Sequence, residues 1–194
     1  MTIDEQDPVS RGNDAPMTSD ADRGASDAGY LLFRLADRRF VLPAAVVQEI
    51  LPMLPLMDAA AAPSFIQGYL DLGPNEEILP VLRLDRLLQL ALPPDTRLPG
   101  LHTPIIVVRA PDGRSFGLLA ERVDWLFRAS ADAVKAAGET FNGCVCGLLT
   151  ISEGTTAALL SIENLLLTEE RERLAAFTAM AEARRRALAQ SNAS

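Results

Sequence analysis

Cys144, Cys146, His102, Ser115 and Ser161 are the residues of this 194-residue chain whose types and spacing suggest chemistry. Cys144 and Cys146 stand two apart on a predicted strand, so their thiols share one face, as a soft-metal or redox pair would. A zinc site needs two further ligands, yet no other Cys exists and His102 is the sole imidazole. The pair therefore reads as small apolar residues packed in a core. His102 with Ser115 or Ser161 and an Asp sketches a hydrolase triad. But His102 precedes Thr103-Pro104 in a Pro-rich connector (Pro93, Pro94, Pro99), which reads as surface loop, and no Gly-x-Ser-x-Gly elbow occurs. The single Lys and the absence of Gly-x-Gly-x-x-Gly or Gly-x-x-x-x-Gly-Lys argue against a phosphate loop. The expectation is a chain with no catalytic, cofactor or metal residues; a small hydrolase is the third reading.

Charge narrows the partners. Asp plus Glu number 26 against 18 Lys plus Arg, a formal charge of -8. Residues 1–28 hold seven acids and two Arg, so -5 of this belongs to a segment with almost no bulky apolar residue, read as a disordered acidic tail. Residues 29–194 carry 19 acids and 16 bases, a near balance. The competing class, a small-ligand or nucleic-acid-binding β-barrel, needs a basic or aromatic stripe, and only 5% of the chain is aromatic. No run of about 18 apolar residues and no basic-then-apolar leader is visible, so the expected location is the cytoplasm, without membrane insertion.

The elements that would position any site are short and apolar. Tyr30 to Leu35, Arg39 to Pro43, Ile78 to Leu84, Ile105 to Arg109, Ser115 to Ala120 and Thr156 to Ile162 read as strands. Asp37-Arg38 and Pro111-Asp112-Gly113 read as turns. Thr168 to about Gln190 reads as a helix, with Thr168 as cap, Glu169, Glu170 and Glu172 in the first turn, and Arg184, Arg185 and Arg186 towards the end. Its packed face would be Leu174, Phe177, Ala181 and Leu188. Trp125 packs between the subdomains or stands at an interface, with the core as the favoured expectation.

The chain also resembles itself. FVLPAAVVQEIL from Phe40 matches FGLLAERVDWLF from Phe116 at an offset of 76. Arg34 to Asp37 matches Arg109 to Asp112 at 75, Ile66 to Leu70 matches Val145 to Leu149 at 79, and Val81 to Leu88 matches Leu159 to Leu166 at 78. This predicts two β subdomains of about 70 residues, each a five-stranded sheet curled into a small barrel to protect its edges. The fold class is mainly β: residues 29–167 in two repeated subdomains, then a C-terminal α-helix and tail over 168–194.

At these residues the chain resembles the CheW family, coupling proteins of bacterial chemosensory arrays. Phe33-x-Leu35 with Phe40-x-Leu42-Pro43 is similar to the family's first two strands. Pro63 to Gly68 is similar to its approach to an Asn-Leu-Arg-Gly signature, and Ile78 to Leu84 to its "(I/V)-P-V-(I/V)-D-L" strand. Gly117 to Val123 is similar to "G-L-L-V-D-x-V", and Gly147 with Leu159 to Ile162 to its closing strands. The resemblance implies two five-stranded barrels around a shared core. It also implies a non-catalytic adaptor joining the cytoplasmic tip of a methyl-accepting chemoreceptor to the regulatory domain of a CheA-type histidine kinase, monomeric outside the array.

Carried over residue by residue, the resemblance marks Ile66, Gly68, Tyr69, Leu70, Asp71, Leu72, Glu121 and Val123 as partner contacts. The chain departs from the pattern where Asn-Leu-Arg-Gly becomes Asp71-Leu72-Gly73-Pro74 and the Arg is lost. Neither Gly nor Pro can replace a guanidinium fork. Asn75-Glu76-Glu77 lengthens the same hairpin, Glu121 replaces an Asp, and Ser161 stands where Asp is common. An accessory or non-flagellar chemosensory pathway fits these changes as well as a principal one does.

Overall fold

The computed structural model describes residues 27–73, 77–94, 96, 98–138, 143–152 and 154–191. Residues 1–26 of the expected acidic tail lie outside them, as do Pro74 of the altered signature and Asn75 and Glu76 of the lengthened hairpin. Among the described residues, eleven strands and two α-helices follow in order: β1 Ala28–Leu35, β2 Arg38–Pro43, β3 Val47–Leu51, β4 Ile66–Leu70, β5 Leu79–Leu82, α1 Leu84–Leu87, β6 Ile105–Arg109, β7 Ser115–Leu119, β8 Arg122–Ala129, β9 Val134–Ala136, β10 Val145–Ser152, β11 Thr155–Leu160 and α2 Thr168–Ser191. The β1–β2 turn centres on Ala36 and Asp37, at φ 52° and 58°, rather than on Asp37-Arg38. Two positive φ values in succession give the backbone twist that a tight hairpin needs.

The strands form two sheets, ordered β8-β1-β2-β11-β10-β9 and β3-β6-β7-β5-β4. The mainly β, two-subdomain class therefore holds, but the halves of the sequence are not the subdomains. Each sheet takes the first two strands of one repeat and the later strands of the other, because β3 and β8 cross over. The pairing registers repeat as well. Leu31 faces Leu126 across β1–β8, and the equivalent Ile106 faces Ile50 across β6–β3. Val41 lies beside Leu159 as Gly117 lies beside Val81, in the two parallel pairs.

The unequal strand numbers have a local cause. β9 pairs Lys135 with Leu148, and the equivalent of Leu148, Tyr69, is met by a single bridge at Met57. A full outer strand in one sheet is thus reduced to one residue in the other. Both approaches require glycine. A Cβ on Gly68 would lie 2.8 Å from the Met57 carbonyl oxygen, and one on Gly147 would lie 2.7 Å from Val134 Cγ1. The outer strands of a sheet do not pair with each other, so the barrels stay open.

Alternation sets the core. Leu31, Phe33 and Leu35 point from β1 into a central cluster with Phe40, Leu42, Ile106, Val108 and Leu118, between the sheets. Tyr30 and Leu32 point the other way, into a cluster with Val41, Leu149 and Ala157. Leu79, Val81, Ile105 and Leu119 fill the corresponding interior of the second sheet. With both faces buried, these strands read in sequence as continuous apolar runs. Arg83 and Asp85, at the β5–α1 junction, form a buried two-pronged ion pair at 2.7 and 2.6 Å.

Candidate partner-binding surface

The eight expected contact residues occupy two places. Ile66, Gly68, Tyr69 and Leu70 lie on β4, the outer strand of its sheet, and all four are buried. Met57 exchanges two backbone hydrogen bonds with Tyr69, at 2.7 and 3.0 Å, closing this edge at its middle. Asp71 and Leu72 follow in the turn and are exposed, Leu72 to 40%. Glu121 and Val123 belong to the other sheet, at the bend into β8, and are half-buried. Of the expected contacts at this edge, Asp71 and Leu72 are the exposed ones.

Helix α2 lies against this strand. Its buried positions are Leu174 and Ala181, with Phe177 half-buried. Leu188, expected on the packed face, is 65% exposed. Arg185 donates to Asp71 Oδ1 at 3.1 Å and to the Gly73 carbonyl at 3.0 Å. A helix more than a hundred residues later thus places a guanidinium on this turn. The Gly73 N–H donates to the same carboxylate at 3.0 Å; that bond and then Arg185 hold the Asp71 carboxyl below its ordinary range. Burial pushes the Tyr69 phenol up, and the Arg184 charge only partly offsets it. Its hydroxyl oxygen is buried with no hydrogen-bond partner among the described residues.

Glu121 is engaged internally. Its carboxylate accepts the Ala36 N–H at 2.8 Å, steadying the left-handed β1–β2 turn, and its own N–H donates to the Arg34 carbonyl at 3.0 Å. Three residues on, Asp124 sits at a bulge in β8 and accepts from Arg34 at 2.8 Å and Arg122 at 2.7 Å. Burial raises the Asp124 pKa, but the two arginines outweigh it and the net direction is down. The repeat places Gln48 at the matching bulge in β3. With its amide oxygen towards Arg109, the equivalent of Arg34, Gln48 accepts at 2.8 and 3.2 Å.

Sequence reasoning missed the exposed apolar residues on the outer strands. Trp125, expected in the core, is 51% exposed on β8, and Leu126 beside it 64%. The repeat equivalent of Leu126, Ile50 on β3, is 44% exposed. Leu126 and Ile50 pair with the buried Leu31 and Ile106, so they stand at matching rims of the central core. The signal was present in the repeat alignment, which pairs Ile50 with Leu126 in strands that each have one neighbour.

The chemistry-bearing residues do not converge. His102 is exposed; Ser115 Oγ is hydrogen-bonded to the Gln48 amide at 2.5 Å, and Ser161 Oγ accepts the Asn164 N–H at 3.3 Å. Cys144 is buried as expected, but Cys146 is exposed. Burial raises the Cys144 thiol pKa, and partial desolvation of the sulfur raises that of Cys146 although the residue as a whole is exposed, which keeps the reactive thiolate scarce. Among the described residues no group of three His, Cys, Asp or Glu gathers to hold a metal, and no helix is long and apolar enough to cross a membrane.

Comparison with known proteins follows the same lines. No curated protein matches the chain. The crystal structure of the scaffolding protein TtCheW from Thermoanaerobacter tengcongensis is similar at a TM-score of 0.63, with 18% identity over 72% of this chain and 92% of that one. At that identity the likeness is one of fold. The model of the CheW-like domain matches residues 29–170. With swapped repeats, two open barrels and that match over most of its length, the chain belongs to the CheW-like domain family.

Proposed function

We propose that the protein is a non-catalytic adaptor of the cytoplasm that couples a methyl-accepting chemoreceptor to a CheA-type histidine kinase, monomeric outside the array. The match of residues 29–170 to the CheW-like domain carries this reading. Its mechanism is geometric. Two sheets sharing one core hold two partners in a fixed relation, so a change in the receptor tip is passed to the kinase as a change of position. Separate surfaces exist for this: the Asp71–Leu72 turn with Arg185, and the apolar rims at Ile50 and at Trp125–Leu126. Ile66, Gly68, Tyr69 and Leu70 shape the first from beneath, and Glu121 and Val123 brace the base of β8. A guanidinium placed on this turn by α2 fits an accessory or non-flagellar pathway, whose partners need not match the principal array.

Calorimetry with the regulatory domain of a CheA-type kinase and, separately, with a receptor tip tests the proposal. Binding of both, singly and together, is expected. Failure to bind either overturns it.

A further inference from the structure

A cavity of about 390 Å³ opens between α2 and the body of the protein. Its floor is Ile78, Phe116, Ile162, Leu166 and Leu174, all members of the central core, so the opening reaches the apolar interior. The volume lies within the range of about 300–1,000 Å³ usual for small-molecule sites. The polar groups are unevenly disposed. The carboxylates of Glu77, Asp112, Glu163 and Glu182 stand around it against the guanidinium groups of Arg114 and Arg171. Asp112 is paired with Arg114 at 3.1 Å, and Glu182 with Arg186 at 3.6 Å, leaving Glu77 and Glu163 against Arg171. Of the two lining hydroxyls, Thr178 donates to the Leu174 carbonyl at 2.8 Å, and Ser115 Oγ accepts from the Gln48 amide at 2.5 Å. A sugar or nucleotide would find few open hydrogen-bonding partners here, and a phosphate would meet net negative charge. An apolar body with a protonated amine fits both floor and rim.

We propose that this cavity is a binding site for a small apolar monocation, an aromatic or aliphatic amine whose body enters the core opening and whose ammonium faces Glu77 and Glu163. The site goes beyond the adaptor reading and needs neither kinase nor receptor for its test. The full chain is titrated with naphthylmethylamine, naphthylmethanol and naphthylacetate, followed by calorimetry and thermal unfolding. The amine should bind and raise the melting temperature, about three- to fivefold more tightly than the alcohol at low salt, with naphthylacetate weakest. The margin should shrink as salt is added and in Glu77→Gln/Glu163→Gln. Ala175→Trp, which fills the cavity from the helix side, should abolish binding; Ala179→Met, at the exposed rim, gives a second block if the first variant folds poorly. No binding of any probe, or binding that survives both blocks, overturns the site. Equal affinity for all three probes overturns the cationic assignment.

Discussion

Asp124 and Tyr69 show how individual side chains set measurable properties. The Asp124 side chain is 2% exposed and held by two arginines, and its folded pKa is depressed. A depressed carboxyl contributes stability that is complete above the ordinary carboxylate range and is lost as pH falls through the folded value. Asp124→Asn should therefore cost about 1–2 kcal/mol near neutrality, a difference that closes in acid, as urea unfolding at a series of pH values would show. Equal destabilisation at all pH values would contradict this. Tyr69 makes the opposite prediction. Its buried hydroxyl lacks a partner among the described residues, so Tyr69→Phe should leave stability unchanged or raise it by up to about 1 kcal/mol. A large loss in chemical denaturation would show that the hydroxyl is satisfied in solution. Of this residue-level detail the sequence disclosed little: it marked Glu121 and Asp71 as notable, but not that one steadies a turn at Ala36 and the other binds Arg185. Those partners lie 85 and 114 positions away, beyond what local spacing reports.

At the scale of elements, legibility followed burial. β6 was readable to the residue and β1, β2, β7 and β11 nearly so, because largely apolar runs bounded by turns mark strands whose side chains are mostly buried. β3 and β8 were harder, since outer strands mix exposed apolar and polar residues and Trp125 looks like a core residue from its type alone. The helix was legible in extent, Thr168–Ser191, but not in its tie to the β4–β5 turn. That tie yields a prediction. Arg185→Ala should release the Asp71 carboxyl towards its ordinary pKa, readable by NMR titration, with little change in global stability because the pair is partly exposed. Leu174→Ala, by contrast, removes a buried contact of α2 and should cost about 2–4 kcal/mol in urea unfolding. If Arg185→Ala proved the more destabilising, the helix would be held by charge rather than by packing. Trp125→Ala with Leu126→Ser should weaken partner binding severalfold without lowering the melting temperature, since both side chains are largely in solvent.

For the molecule as a whole, the crossing of β3 and β8 decides how it folds. A repeat in sequence ordinarily suggests two units that could each stand alone. Here the first repeat supplies β1 and β2 to one sheet and β3, β4 and β5 to the other, and the second repeat does the reverse. An isolated first repeat would leave β1–β2 a lone hairpin without β8 or β11, and β3 without β6. A two-stranded hairpin is marginal in water, and half of the central cluster would be missing. The pattern of apolar residues could disclose the repeat but not the exchange, because it tells which face of a strand is buried and not which sheet the strand joins. Two fragments cut in the Pro-rich connector, one ending near Pro94 and the other starting near Pro99, should each be unfolded alone by circular dichroism and far less dispersed by NMR than the whole chain. Mixed, they should assemble into a one-to-one complex with the native spectrum, since each sheet draws strands from both. The intact chain should unfold in one transition reported alike by Trp125 fluorescence and by circular dichroism. A fragment that folds by itself, or two separated transitions, would mean that the exchanged strands contribute little and that each sheet's own half carries its stability.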